Sequence, residues 1–397
     1  MINKLMYFSD KLVSEVSTEF IRNKIALLET SDRLIGIKGA RGVGKTTLLL
    51  QFIKTKLAHH KAVYVTLDDI FFSENRLIDF IDDFVALGGE YVLLDEVHKY
   101  PNWSQEIKNA YDRHSQLKII FTGSSILKIR EAYADLSRRA VVFNLEGFSF
   151  REYLNLKTNQ SFPVLKLTDI LEHHQEIVKD IWKIVKPLAF FESYLRYGYY
   201  PFFLENQETY HQKLREIISL TLEIDLPYNT EISHSKIFHI KQLLYIIAER
   251  VPFKPNIQKI SERIATSRNT LKQYLHILDE AQIIALLFSE KKGMSSLTKP
   301  EKIYLHHPNL MYSLSESDAD VGTVRETFFL NQLSAKHEVF YTEKGDFRVD
   351  RKYTFEVGGK NKDAKQIQGI EHAFLAKDGL EAGFGREIPL WLFGFLY

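Results

Sequence analysis

A glycine-rich segment near the start of the chain has the residue types and spacing of a phosphate-binding loop. It matches the pattern G-x-x-x-x-G-K-[ST] and consists of Gly39, Ala40, Arg41, Gly42, Val43, Gly44, Lys45, Thr46 and Thr47. The glycines let the main chain curl so that its N–H groups face phosphate oxygens, and the positive end of a following helix supports the same charge. We expect Lys45 to reach the β- and γ-phosphates of a nucleotide and the Thr46 hydroxyl to ligate a bridging Mg²⁺. The alternative is a glycine-rich turn that matches the pattern by chance.

Two carboxylates follow an apolar run further along the chain. The run Tyr91–Leu94 is immediately followed by Asp95 and Glu96, at the position where a parallel sheet places its ligand crevice. Asp95 is suited to hold Mg²⁺ or its water ligands, and Glu96 is suited to orient and polarise the water that attacks the γ-phosphate. The alternative is structural, with both acids only capping a helix predicted over residues 103–114.

A hydroxyl follows the next apolar run. Ser124 comes shortly after Lys118–Thr122, and we expect it to donate a hydrogen bond to the γ-phosphate or to the attacking water. Serine after a strand is also common as a turn or helix-cap residue. The order of the runs, with Ser124 after Asp95 and Glu96, is what favours the catalytic interpretation.

Short apolar runs separated by helix-length stretches indicate how these residues are positioned. The runs are Arg33–Lys38, Ala62–Leu67, Tyr91–Leu94, Lys118–Thr122 and Ala140–Leu145. Each has about the length of a buried strand, and strands that alternate with helices predict an α/β fold with a parallel sheet covered on both faces.

Length and composition limit the classes of protein that the chain can belong to. A chain of 397 residues predicts two or three domains. Lys plus Arg (52) nearly balances Asp plus Glu (51), so any attraction to nucleic acid must come from a local patch. The absence of cysteine excludes disulfides, thiolate zinc sites, iron-sulfur clusters and a cysteine nucleophile. The charged N-terminus and the lack of any apolar run of roughly 20 residues predict a cytoplasmic protein with no membrane span.

The pattern changes after the predicted sheet. Residues 151–232 are predicted to form a helical lid or connector rich in Tyr and Phe. Residues 233–298 are predicted to form a separate unit. Between about Ser235 and Gly293 there are three helix-like stretches, followed by a strand at 283–288 and a return strand at 303–305. The third stretch carries Leu271, Tyr274, Leu275 and Leu278 at the spacing of a buried helical face. This order of elements suggests a winged helix-turn-helix.

The last part of the chain, residues 299–397, mixes helical and strand-like patterns and is predicted to form a further α/β unit. A helix is expected over Arg325–Ala335. Strands are expected over Glu338–Tyr341, Arg348–Val357 and Leu390–Leu396.

Several short sequence motifs follow one another along the chain. They are Gly39–Thr47, Leu94–His98 with Pro101 and Trp103, Thr122–Ser125, Arg139, Ser149–Leu154, Gly198–Pro201 and Lys299–Tyr304. In these motifs the chain resembles prokaryotic AAA-type ATPases that carry a C-terminal domain of uncharacterised function. The resemblance implies an ATPase core over residues 1–150 that binds ATP and Mg²⁺, then a winged helix, then a restriction-endonuclease-like domain. Arg138, Gly147 and Tyr199 depart from the family pattern, which usually has Gly, Pro and Gly at these positions.

The resemblance also implies a catalytic arginine from a neighbouring subunit, and therefore a homo-oligomer. A guanidinium there would stabilise the negative charge that spreads over the transferring phosphoryl group. Arg139 is the candidate and Arg138 the alternate. The structural alternative is an arginine that pairs with a surface acid.

The winged-helix segment contains residues that could contact DNA. Arg268 and Lys272 lie on the predicted recognition helix, and Lys291 and Lys292 lie in the predicted wing. These side chains can reach phosphates and base edges. The nearby acids Asp279, Glu280 and Glu290 dilute the positive field, and winged helices also serve as protein contacts, so both interpretations stay open.

The last domain carries part of a nuclease pattern, in which an Asp and a Glu hold a metal and a Lys positions water. Asp350 and Glu356 fit this pattern, with Glu326 upstream. Gly358 occupies the usual lysine position, and Lys360 could replace it because alternate residues of a strand share a face. The alternative is a nuclease-like fold retained for binding.

The sequence therefore predicts a Mg²⁺-dependent ATPase whose nucleotide state controls a winged-helix module and a nuclease-like C-terminal half. The main alternatives are a nucleotide-loaded regulator that binds DNA or protein with negligible turnover, and an ATP-dependent nuclease. The chain has no Asn-Lys-x-Asp guanine-reading signature, which favours ATP over GTP.

Overall fold

A computed structural model describes residues 2–123, 136, 138–229, 234–290, 299–315 and 319–397. The chain divides into two compact units. The first contains Met1–Glu146 and Glu223–Ile232, and the second contains Gly147–Leu222 and Ser233–Tyr397. The segment 223–232 therefore belongs to the unit that contains the glycine-rich loop, although it follows the loop by about 180 residues.

The described helices and strands alternate over the first part of the chain and again near its end. The α-helices are α1 Ile2–Glu15, α2 Lys45–Lys56, α3 Phe71–Glu74, α4 Leu77–Ala86, α5 Trp103–Arg113, α6 Phe150–Thr158, α7 Leu167–Trp182, α8 Leu188–Tyr197, α9 Tyr210–Leu220, α10 Leu226–Asn229, α11 His234–Ala248, α12 Ile257–Arg263, α13 Arg268–Glu280, α14 Pro308–Leu314 and α15 Val321–Ser334. The strands are β1 Leu34–Lys38, β2 Ala62–Thr66, β3 Tyr91–Asp95, β4 Lys118–Gly123, β5 Val141–Asn144, β6 Ile284–Leu287, β7 Lys302–Leu305, β8 Val339–Tyr341, β9 Phe347–Val349, β10 Tyr353–Gly358, β11 Ala373–Lys377 and β12 Glu387–Pro389. Short 3₁₀ helices span Asn23–Leu28, Val97–Lys99, Pro201–Leu204, Lys365–Ile367 and Leu390–Phe395, and a π-helical turn spans Thr221–Asp225.

The first unit is built on a parallel sheet in the order β2-β3-β4-β1-β5. All five strands fall where the apolar runs predict them, so the expected α/β fold with a parallel sheet is confirmed. Because β4 pairs with both β1 and β3, the carboxyl end of β4 lies between the glycine-rich loop after β1 and the two acids at the end of β3. The topology thus brings the predicted site residues to one edge of the sheet.

One face of this sheet packs against amphipathic helices. Alternate strand residues, such as Val63 and Val65 or Val92 and Leu94, enter one apolar cluster with the buried sides of α4 and α5. Each side chain of this size contributes roughly 1.5–3 kcal/mol when it is fully buried. This core fixes the strand ends from which the site residues project.

The second unit contains a mixed sheet in the order β12-β11-β10-β9-β8. Strands β10, β11 and β12 are parallel to one another. Strand β9 is antiparallel to both of its neighbours, β8 and β10. The helix predicted over 325–335 is found as part of α15.

Two strand predictions in this unit are wrong in detail. The run 348–357 is a hairpin rather than one strand, because Asp350 and Arg351 adopt φ of 50° and 55° and form its turn. Leu390–Leu396 is not a strand, since Leu390–Phe395 forms a 3₁₀ helix that is buried on all sides. A short run that is apolar at every position does not distinguish a buried strand from a buried helix.

Residues 234–305 show the predicted order of three helices followed by two antiparallel strands. The buried face of α13 consists of the four predicted residues Leu271, Tyr274, Leu275 and Leu278. Ser267 caps this helix, and its hydroxyl accepts a hydrogen bond from the Thr270 N–H at 3.1 Å. Lys291 and Lys292 of the predicted wing lie outside the described residues. No helix in the described part of the chain combines the length and apolar character needed to cross a bilayer.

Candidate functional site

The glycine-rich loop connects β1 directly to α2. A side chain at Gly39 would place its Cβ 2.3 Å from the Leu145 carbonyl oxygen, so this position accepts only glycine without movement of the backbone. Gly44 adopts φ 94° at the N-cap of α2, and its helix end has no side-chain cap among the described residues. The first-turn N–H groups of α2 therefore face the loop and are available to an anion.

Lys45 folds back over the loop. Its ammonium donates hydrogen bonds to the carbonyl oxygens of Gly39 at 3.0 Å and Ala40 at 3.1 Å, and the residue is 5% exposed. Burial lowers the pKa of Lys45, and the negative charges of Glu96 and Asp95 partly oppose this effect. A phosphate oxygen would give the ammonium a charged acceptor in place of two neutral ones.

Asp95 is the polar centre of this edge of the sheet. Its carboxylate accepts hydrogen bonds from the Thr46 hydroxyl at 2.5 Å, from the Tyr64 hydroxyl at 2.9 Å and from the Thr122 hydroxyl. Burial and the adjacent Asp95 charge raise the pKa of Tyr64, so this phenol remains a donor at neutral pH. Thr46 and Asp95 lie together as their motifs predict, whereas Tyr64 is marked by no motif and is one of several aromatic residues in buried strands.

A magnesium ion fits the donor set at this position. The Thr46 hydroxyl and the Asp95 carboxylate are hard oxygen donors that already lie within 2.5 Å of each other. Thr46 would bind the ion directly, and Asp95 would hold it directly or through water. Among the described residues, no group of three His, Asp or Glu side chains is arranged to hold a metal ion by protein ligands alone. Magnesium usually keeps several water and phosphate ligands, so a set of two protein donors is compatible with it.

Glu96 adopts φ 52°, an uncommon conformation for a residue with a side chain, at the end of β3. Its N–H donates to the Thr122 hydroxyl at 3.1 Å, and its carboxylate lies 3.4 Å from His98 Nε2. Burial raises the pKa of Glu96, the Lys45 charge opposes this, and Asp95 adds to it. Burial also lowers the pKa of His98 to about 4, so His98 is neutral at pH 7. With its side chain 25% exposed, Glu96 is accessible to water and is suited to act as a base.

The predicted arginines Arg138 and Arg139 lie just before β5. The Arg139 guanidinium donates to both carboxylate oxygens of Asp112, at 2.9 and 3.0 Å, which is the surface ion pair considered as its structural alternative. Arg138 is exposed. Ser124 lies outside the described residues, so its contact with phosphate stays a prediction.

A third acid, which no sequence motif marks, joins the site from the segment 223–232. Asp225 accepts hydrogen bonds from Arg41 of the loop at 3.1 and 3.2 Å and from Lys99 at 3.1 Å. The Asp225 side chain is 3% exposed. It is separated from Arg41 by 184 residues, and no local pattern marks such a contact.

The C-terminal acids form a different cluster from the predicted one. Register places Asp346 opposite Glu356, because Phe355 pairs with Phe347 in the antiparallel hairpin. Asp350 lies at the turn instead, where it accepts hydrogen bonds from His337 at 2.7 Å and from the Glu338 N–H at 3.0 Å. The predicted grouping of Asp350 with Glu356 is therefore wrong, since the turn separates them.

The lysine of this cluster also differs from the prediction. Lys362, rather than Lys360, lies 2.5 Å from Glu356 Oε1. Lys302 lies 3.4 Å from Glu326 and 3.8 Å from Asp346. Burial raises the pKa of both Glu326 and Asp346, and within the described residues Glu356 Oε2 has no hydrogen-bond partner. Two ammonium groups thus partly neutralise three carboxylates, of which Glu356 is buried and the other two are partly exposed.

Basic residues at the predicted recognition helix line an open cleft. Arg268 and Lys272 of α13 face this cleft together with Lys254 and Lys299. Arg268 also donates a hydrogen bond to the Gln258 side chain. The cleft concentrates positive charge on a chain whose overall charge is nearly balanced.

Two family models match different parts of the chain. Residues 31–154 match the family model described as an AAA domain, and residues 189–320 match one described as a domain of unknown function (DUF8612). No curated protein matches the sequence.

Several solved structures are similar to part of the chain. C. elegans PCH-2 is 20% identical over 40% of this chain and 45% of its own length, with a TM-score of 0.25, so this chain spans under half of that protein. AMPPCP-bound DnaA from Aquifex aeolicus is 16% identical over 70% of this chain and 88% of its own, with a TM-score of 0.27. The P-loop NTPase domain of the Sigma-54 transport activator from E. coli is 19% identical over 30% of this chain and 89% of its own, with a TM-score of 0.21.

The family match covers the loop, the five strands and the acidic strand end, where the geometry described above was found. The expected AAA-type character of this part of the chain is confirmed. Over residues 31–154 the chain is therefore similar to AAA domains.

Proposed function

We propose that the protein binds ATP with Mg²⁺ at residues 39–47 and hydrolyses it. The observation that carries this proposal is the convergence of the Lys45 ammonium, the Thr46–Asp95 pair and the Glu96 carboxylate at one edge of the sheet. A site that only bound nucleotide would need the first three groups. Glu96 adds a partly exposed carboxylate with a raised pKa, which is the property of a general base.

Each residue has a separate task in this reaction. The loop N–H groups and Lys45 bind the β- and γ-phosphates, and bound Mg²⁺ would supply charge neutralisation at those oxygens. Glu96 accepts a proton from the attacking water as the water oxygen bonds to the γ-phosphorus. The bond from that phosphorus to the bridging oxygen breaks, and its electron pair leaves with ADP. Ser124 and a neighbouring subunit's Arg139 are further proposed contacts to the γ-phosphate.

Removal of magnesium tests the proposal. We expect the purified protein to release phosphate steadily from ATP in Mg²⁺, and the release to fall to background in excess EDTA and to return when Mg²⁺ is restored. Addition of a non-hydrolysable ATP analogue should inhibit phosphate release from ATP competitively. Nucleotide binding without any phosphate release would instead favour the nucleotide-loaded regulator.

The basic cleft supports a second function for the chain, contact with DNA through residues 233–298. Four cationic side chains, those of Lys254, Arg268, Lys272 and Lys299, line it. We expect duplex DNA to bind more weakly as salt rises, because phosphate contacts release counterions.

Replacing Arg268 and Lys272 together by Ala should weaken DNA binding at least tenfold and reduce the slope of log affinity against log salt by about two, as for two lost phosphate contacts. Fluorescence anisotropy with labelled duplex would measure both. Lys336→Ala, on a surface outside the cleft, is the control. DNA binding that is equal in the double variant and the wild type would remove the cleft from the proposal.

A further inference from the structure

We propose that Arg41 is a catalytic arginine that acts on the terminal phosphate of its own subunit, and that Asp225 is the residue that positions it. This inference rests on the proposed hydrolysis at residues 39–47. It assigns the charge-stabilising role to a side chain of the loop itself, whereas the family resemblance implies an arginine from a neighbouring subunit.

The contacts of Arg41 leave part of its guanidinium available. Nη1 donates to Asp225 Oδ2 at 3.1 Å and to Oδ1 at 3.2 Å. Among the described residues, Nη2 and Nε of Arg41 make no hydrogen bond. The Arg41 side chain is 37% exposed, against 3% for Asp225. The guanidinium is thus anchored at one nitrogen by a buried acid, and the rest of its planar fork can bind a further anion.

The anchored guanidinium lies close to the reacting groups. Arg41 is the third residue of the loop, between the Ala40 carbonyl that Lys45 contacts and the left-handed Gly42. Burial has the largest effect on the pKa of both Lys45 and Glu96, and the Arg41 charge acts on each of them as well. Lys99, which shares Asp225 with Arg41, ends the turn that directly follows Glu96, so the shared acid joins the loop to the turn that carries the proposed base.

Lys99 shares the acid that anchors Arg41. Its ammonium lies 3.1 Å from Asp225 Oδ1, so one carboxylate is shared by two cations. Arg41 therefore shares its acid with a second cation, which leaves its charge less fully neutralised than in an ion pair of its own.

The transition state of ATP hydrolysis carries the negative charge that the Arg41 guanidinium can bind. As the bond to the attacking water forms and the bond to the ADP oxygen breaks, negative charge spreads over the equatorial oxygens of the γ-phosphoryl group. A fork-shaped donor that is already oriented stabilises this charge without reorganisation. Because the interaction strengthens only as the reaction proceeds, it raises kcat more than it improves nucleotide binding.

Kinetics of matched variants test both roles. The double variant Arg41→Ala/Asp225→Asn removes the arginine without leaving Asp225 as a buried charge, and we expect its kcat to fall about a thousandfold while the Kd for ADP changes less than about threefold. Arg41→Lys, which keeps the charge but not the fork, should lose about tenfold to a hundredfold. Asp225→Asn alone should lower kcat about tenfold with KM unchanged, as expected of a positioning residue. Arg113→Ala removes an exposed arginine of the same unit, paired with Asp82, and is the control.

Mixing two inactive variants distinguishes action within a subunit from action between subunits. Arg41→Ala/Asp225→Asn supplies an intact Glu96, and Glu96→Gln supplies an intact Arg41. If Arg41 acts within its own subunit, the mixture has no more activity than the sum of the two proteins. Recovery of more than about a tenth of the wild-type rate would show that the arginine reaches a neighbouring site, and would overturn the inference.

The failure of this inference is distinguishable from failure of the proposed function. If Glu96→Gln abolishes phosphate release but the Arg41 variants, which bind ADP normally, keep the wild-type kcat, hydrolysis stands and Arg41 is structural. If Glu96→Gln leaves release unchanged, the proposed hydrolysis itself is wrong. Circular dichroism and ADP binding of every variant confirm that each protein is folded.

Discussion

Replacing Glu96 by Gln is expected to reduce phosphate release by about a hundredfold to ten-thousandfold while nucleotide binding persists. The amide keeps the size of the side chain but cannot accept the proton of the attacking water. The binding groups, Lys45 and the loop N–H groups, are unchanged by the substitution. Steady-state phosphate release and equilibrium binding of a fluorescent nucleotide measure the two quantities separately.

The acidic limb of the pH profile gives an independent measure of the same group. Burial raises the pKa of Glu96, so wild-type kcat should fall as the pH decreases through a value above the ordinary 4.5 for this side chain, because the base becomes protonated. This limb should be absent from any residual activity of Glu96→Gln. Glu90→Gln, which changes an exposed glutamate just before β3 begins, is the control and should leave kcat unchanged. Equal rates for Glu96→Gln and the wild type would exclude Glu96 as the base.

The loop and the acidic strand end were predictable because their signals are local. The spacing from Gly39 to Thr47 encodes a turn into a helix, and the run 91–94 followed by Asp95 and Glu96 encodes a buried strand with a polar end. Their meeting at one sheet edge follows from parallel topology alone. The five strands and their α/β arrangement were predicted on the same basis.

The contacts that sequence analysis missed depend on register or on distant segments. Asp225 reaches Arg41 from 184 residues away, and neither residue has a neighbour pattern that marks the pair. Asp346 rather than Asp350 faces Glu356, because a turn of one hairpin decides which residue lies opposite which. The 3₁₀ helix Leu390–Phe395 has the sequence pattern of a strand, because full burial removes the periodicity that distinguishes the two.

The site combines groups marked by local sequence patterns with groups brought together by the fold. The proposed phosphate-binding groups come from one continuous segment. The groups that surround this segment, Tyr64, Thr122 and Asp225, come from separate parts of the chain. A nucleotide-binding loop can therefore be recognised from sequence before its catalytic surroundings. The structure supplies those surroundings through the sheet order and the return of residues 223–232 to the first unit.

Replacing Lys45 by Ala is expected to weaken ATP binding by about a hundredfold. The ammonium would make charge-assisted hydrogen bonds to two phosphates, each worth about 1.5–3 kcal/mol, and part of this is offset by the two carbonyl contacts that it gives up. A loss of about 2.7 kcal/mol corresponds to a hundredfold change in Kd. Isothermal titration calorimetry with ATP in Mg²⁺ would measure it, with Lys56→Ala, a surface lysine of the same helix paired with Glu29, as the control.

The fold should tolerate the loss of Lys45, so the effect on binding is separable from stability. Burial lowers the pKa of Lys45, which means that the free protein bears a cost for holding this ammonium out of water. Removal of the ammonium relieves that cost and leaves two carbonyl oxygens of the loop accessible to water. We therefore expect the Tm of Lys45→Ala without nucleotide to stay close to that of the wild type, whereas the rise in Tm on adding ATP should be lost at concentrations that saturate the wild type. An undiminished rise would show that Lys45 does not bind phosphate, and nucleotide binding at this loop would then have to depend on the main-chain N–H groups of α2 alone.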